Sequence, residues 1–159
     1  MMAPIALGCG DKYVVFGQGV RFQRAYAATH PATIVVYLKG ATDQRERLLT
    51  ILRMVGHRPH PASSIDELQA AVAGGKVDIV LTESGSVPAV NDALVSATVH
   101  PTVVPLLFAP TREQIAEIER QNSCAVQVSK RNHELLTVIN DAMEQRSKGI
   151  TAACQRKRA

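Results

Sequence analysis

The sequence predicts a three-layer α/β fold in which a five-stranded parallel sheet is doubly wound, with strand order 2-1-3-4-5. Two observations carry this expectation. From Thr33 onward, short β-branched runs alternate with stretches whose apolar residues recur at helical spacing, the pattern of strands joined by crossover helices. The helical stretches open on capping motifs and several close on glycine, so the units can be separated by eye. Parallel crossovers are right-handed, and helices must cover both faces of such a sheet, which makes the open doubly wound form its natural closure. In that closure the functional crevice lies at the carboxyl ends of strands one, three and four.

Each unit is then read in order. Thr33-Ile-Val-Val-Tyr37 is a buried strand, and Asp43, with Glu46 three residues on, opens a helix through Leu48, Leu49, Ile51, Leu52 and Val55 that Gly56 stops. Arg58 to His60 is a short second strand, placed at an edge because Pro59 and Pro61 interrupt it. Ser64-Ile-Asp-Glu67 is a capping box for a second helix through Leu68, Ala71 and Val72, ended by Gly74 and Gly75. Val77-Asp-Ile-Val-Leu-Thr82 has the composition of the central strand, and a helix from Pro88 to Ala97 follows it. Thr102 to Phe108 is the fourth strand, Thr111-Arg-Glu-Gln114 caps the helix of Ile115 and Ile118, and Cys124 to Val128 is the fifth strand. Asn132 caps a long last helix carrying Leu135, Leu136, Val138, Ile139, Ala142 and Met143.

The chain divides into an amino-terminal extension (1–32), the α/β domain (33–147) and a basic tail (148–159) expected to be disordered. Hydrophobic residues make up 46% of the chain against 20% charged, enough for one sizeable core. With no Trp, three Tyr and three Phe, that core is aliphatic, and a nucleic-acid surface of stacked rings is not expected. The formal charge of +4 comes largely from Arg146, Lys148, Arg156, Lys157 and Arg158 near the end, and without them the body is close to neutral. No apolar run approaches the roughly 18 residues of a membrane span. Met1 to Gly10 is apolar but lacks a basic start and a good cleavage site, so as written the chain reads as cytoplasmic, and as exported if a leader has been lost upstream.

The phrase Val77-Asp-Ile-Val-Leu-Thr-Glu83, with Val87-Pro88 beyond it, resembles the central strand of bacterial response-regulator receiver domains, and Val128-Ser-Lys130 resembles their strand-five lysine motif. The resemblance spans about Thr33 to Arg146; a flavodoxin-like domain would share its architecture. It implies a phosphoacceptor pocket, which in that family needs clustered carboxylates to hold a divalent cation beside the phosphoryl oxygens. Here the end of strand one reads Tyr37-Leu38-Lys39, the acceptor slot falls on Glu83, Phe108 stands where the switch hydroxyl would be, and Arg131 follows Lys130 in place of the usual proline. The degenerate pocket is therefore expected to consist of Tyr37, Leu38, Glu83, Phe108 and Lys130, with Glu83 either a solvated loop carboxylate or the ion-pair partner of Lys130. The resemblance accordingly implies a pseudo-receiver: no enzyme, no cofactor and no metal. It would work through a protein partner or self-association, presented by helix four, strand five and helix five.

Before the first strand, Tyr13 to Phe16 reads as a strand and Gly17-Gln-Gly19 as a turn, a hairpin or an added edge strand. Lys12, Arg21 and Arg24 there form either an anion-binding or partner-docking patch or an extension whose long side chains cover apolar surface. The block Cys9-Gly-Asp-Lys12 followed by Gly19-Val-Arg-Phe-Gln-Arg-Ala-Tyr26 is similar to one in uncharacterised bacterial proteins that carry an export signal. Cys9, Cys124 and Cys154 are too few for a disulfide scaffold and have no zinc spacing, though they allow one bond such as Cys9 to Cys124. His57-Arg-Pro-His60 is a weak metal signal on a Pro-broken segment. Ser84-Gly-Ser86 lacks the flanking glycines of a nucleophile elbow. Two rival readings follow: a small-ligand or anion binder using Ser84-Gly-Ser86 and the Gly17 to Arg24 segment, and an exported protein with a Cys9–Cys124 disulfide.

Overall fold

The runs Ile34-Val35-Val36 and Ile79-Val80-Leu81 lose all solvent exposure. Strands buried on both sides in this way need helices above and below them. A computed structural model describes residues 27–121, 124–128 and 132–150. Its strands are β1 (Thr33–Tyr37), β2 (Arg58–Ala62), β3 (Ile79–Glu83), β4 (Thr102–Phe108) and β5 (Val126–Val128). The helices are α1 (Thr42–Met54), α2 (Ile65–Ala73), α3 (Val87–Leu94), α4 (Arg112–Gln121) and α5 (His133–Ser147). All neighbouring strands pair in parallel, and the order is β2-β1-β3-β4-β5, the doubly wound arrangement expected from the sequence.

Strand alternation divides the core into two layers. On the first face Ile34, Val36, Leu38, Leu81, Leu106 and Val126 pack against Leu48, Leu49 and Leu52 of α1 and Leu135, Val138 and Ile139 of α5. On the second, Val35, Tyr37 and Val80 meet Leu68 and Val72 of α2 and Val90 and Leu94 of α3. Each fully buried Leu, Ile or Val contributes about 1.5–3 kcal/mol relative to exposure, and in this largely aliphatic core Tyr37 is the one aromatic that is buried among the described residues.

β2 keeps its place at the edge despite two prolines. Arg58 N–H donates to Ala32 O at 2.8 Å, so Arg58, His60 and Ala62 turn their amides toward β1. Pro59 and Pro61, at the alternate positions, lack only donors that would face outward. Beneath this edge His57 is buried, and its Nδ1 accepts from Ala32 N–H at 3.2 Å. Burial holds its imidazole below the ordinary value.

Two of the expected caps form. Ser64 Oγ accepts from Glu67 N–H at 3.2 Å, while the Glu67 carboxylate accepts from Ser63 N–H and Oγ–H at 2.7 and 2.9 Å, one residue earlier than a standard box. Thr111 and Gln114 bond reciprocally at the start of α4. Two others do not. Ser64 is extended (φ −133°, ψ 162°) and can fold its hydroxyl over the helix end, whereas Asn132 sits at φ −80°, ψ 6° and makes no side-chain cap. Asp43 lies inside the first turn of α1 rather than before it, and Ala41 at the cap position has no side-chain acceptor.

Several boundaries shift, among them that of β2, which runs on past His60 to Ala62. β3 starts two residues late, at Ile79, and Asp78 before it ties β1 to the sheet: its Oδ2 accepts from Thr33 N–H at 2.8 Å, and Arg146 of α5 approaches Oδ1 at 3.8 Å. α3 ends at Leu94 rather than Ala97, and β5 begins at Val126 rather than Cys124. The predicted hairpin of Tyr13 to Gly19 and the patch of Lys12, Arg21 and Arg24 lie outside the described residues, as does most of the basic tail. Among the described residues no helix is long and apolar enough to cross a membrane.

Candidate functional site

The register aligns the carboxyl ends of the strands. Tyr37 stands beside Thr82, Thr82 beside Pro105, Glu83 beside Leu106, and Phe108 beside Val128. Tyr37 is 4% exposed and packs in the second-face core, while Leu38 is wholly buried in the first. The two anchor the end of β1 into opposite layers, and both belong to the core. Lys39 is exposed, and Gly40, at φ +80°, makes the left-handed turn that sends the chain up into α1.

That turn brings Arg45 back over the strand it has just left. Its Nη1 donates to Leu38 O at 3.2 Å, and its Nε is buried without an acceptor. A half-buried guanidinium thus lies over the end of β1, where the sequence Tyr37-Leu38-Lys39 has no acid. Sequence reasoning missed this residue. The available signal was its charge: a cation near the amino terminus of a helix opposes the helix dipole and calls for a specific partner. The Glu67 carboxyl nearby lies below its ordinary range, mainly through the Ser63 amide and hydroxyl, with Arg45 a smaller contributor.

Glu83 ends β3 half-buried and has no hydrogen bond or ion pair among the described residues; Lys130 lies outside them. Immediately before it, Thr82 is fully buried with its hydroxyl unpartnered. A single 3₁₀ turn over Ser84–Ser86 then leads into α3. Phe108 ends β4 half-buried, packed at the margin of the first-face core, and Ala109 after it adopts a left-handed φ of +46°. Of the five expected pocket residues, therefore, Tyr37 and Leu38 fill the core, and Glu83 and Phe108 reach the crevice margin.

Two of the clefts near this edge are lined by residues of the crevice margin. One, of about 390 Å³, lies on the first face between α1 and the ends of β4 and β5, with Phe108 in its wall. The other, of about 440 Å³, lies between α3 and α4 and includes Ser84, Asn91, Asp92, Pro105 and Ile118. Among the described residues no three His, Cys, Asp or Glu side chains converge as a metal site would require. His57 is buried with Nδ1 engaged, and His60 is exposed. Cys124, buried two residues before β5, is disulfide-bonded; its partner lies outside the described residues, where the sequence has Cys9 and Cys154.

No protein-family model matches the chain, and a comparison with curated proteins returned no match.

Proposed function

We propose that this chain is a non-catalytic, receiver-like interaction module that signals by binding and not by aspartyl phosphorylation. The observation that carries this reading is the Arg45 guanidinium on the Leu38 carbonyl. Phosphoryl transfer to a carboxylate in such a crevice needs a divalent cation held by clustered acids. At the ends of β1, β3 and β4 the chain supplies one acid, Glu83, and Arg45 sets a guanidinium over the end of β1. A single carboxylate does not make the several-oxygen site that a divalent cation takes. The binding face is assigned to α4, β5 and α5, where α4 has no fully buried residue and Gln127 of β5 is exposed. Incubating the full chain with magnesium and acetyl phosphate, followed by intact mass measurement, is expected to leave the mass unchanged. A stoichiometric acyl phosphate on Glu83 would refute the reading.

A second reading is favoured by the Cys124 disulfide. Structural disulfides persist in oxidising compartments and are rare in the reducing cytosol. On that reading the module is exported and its partner is extracytoplasmic, away from phosphorelay signalling.

A further inference from the structure

We infer that the first-face cleft is a binding site for a small organic carboxylate with an apolar body. The cleft arises because β5 has only three residues and α1 and α5 leave the ends of β4 and β5 uncovered between them. Its α1 wall is a stripe at helical spacing, Gln44, Arg47, Leu48 and Ile51, beside the stripe that packs the core. Across from it stand Phe108, Gln127, Val128 and Asn132.

The lining sorts by chemistry. Leu48, Ile51, Phe108 and Val128 form an apolar floor, and only Leu48 of these is fully buried by the protein itself. Gln44, Arg47, Gln127 and Asn132 surround that floor with polar groups. Arg47 has no hydrogen bond or ion pair among the described residues, and among the described lining residues it is the only charged one. An apolar floor with a few convergent polar groups, in a volume of about 390 Å³, has the size and composition of a small-molecule site.

Charge selects the occupant. An exposed guanidinium that makes no ion pair among the described residues matches a carboxylate, which it can engage through two parallel N–H donors. Because Arg47 is exposed, its ion pair sets the preference for an anion, while the floor supplies most of the affinity.

The site does not depend on Glu83 or on the absence of phosphorylation, so it stands or falls separately from the proposed function. The test is a nuclear magnetic resonance titration of the full chain with 4-phenylbutyrate, with octanoate as a second carboxylate and 4-phenylbutanol as the uncharged counterpart. Saturable shifts are expected at Arg47, Ile51, Ala109 and Val128 with both carboxylates. The alcohol is expected to bind about fivefold more weakly, and Arg47→Ala to remove that difference while Ile51→Ser weakens both ligands. Absence of saturable shifts with both carboxylates overturns the inference. So do equal affinities for acid and alcohol, or an acid preference that survives Arg47→Ala.

Discussion

Individual residues at the carboxyl edge of the sheet are arranged with costs that can be measured. Thr82 is fully buried with its hydroxyl unpartnered, a polar group removed from water without compensation. Thr82→Val is expected to stabilise the chain by about 1 kcal/mol in chemical denaturation, since shape is kept and the orphan hydroxyl removed. A loss of stability would mean that the hydroxyl is hydrogen-bonded. His57 titrates in the opposite sense to a histidine with an acidic partner. Burial lowers its proton affinity from the ordinary value of 6.5, so below that pH the unfolded chain takes up a proton that the folded chain refuses. Its contribution is full above that value and fades as pH falls toward the lowered folded value. Denaturation midpoints are therefore expected to drop between about pH 7 and pH 5, and His57→Asn to flatten this slope while costing about 1–3 kcal/mol at neutral pH. An unchanged slope in the variant would move the pH dependence to another group.

Among the elements, attachment to the core is uneven. α1, α2, α3 and α5 each place fully buried side chains against the sheet, whereas α4 buries none and rests on the half-buried Ile115 and Ile118. Local opening is governed by how much buried contact must be broken. Amide exchange is therefore expected to be fastest in α4 of the five helices, despite its well-formed Thr111–Gln114 cap; protection equal to that of α5 would contradict this. β2 shows the reverse relation between local signal and outcome. Its prolines argue against a strand, yet their alternation leaves every inward amide in place, so pairing with β1 survives.

For the molecule as a whole, the sheet presents two differently finished faces. The second face carries the cleft between α3 and α4, and the first carries the cleft with Arg47 at its rim. The disulfide at Cys124 bears on the compartment in which the fold is made. With three cysteines and one bond, unreduced protein unfolded in denaturant is expected to show one free thiol, and reduction to lower the melting temperature through a loss of about 2–4 kcal/mol. Three free thiols in protein prepared through an oxidising compartment would remove the exported reading. Strand number, parallel order and the two core layers were all legible beforehand, because hydrophobic periodicity and capping are local and each unit writes its own pattern. Extended Ser64 could cap α2 as its sequence implied, while Asn132 could not cap α5, since the backbone angles at a helix entry are decided by the loop before it. Glu83 and Phe108 could be placed at the crevice by counting along strands. Arg45 on the Leu38 carbonyl, and the cleft that Arg47 shares with Phe108 and Val128, bring together residues that are distant in sequence or separated by a turn. The pattern along the chain determines which side chains face a core, but which of the remaining ones meet depends on helix placement over the sheet, and that is set only when all the layers pack together.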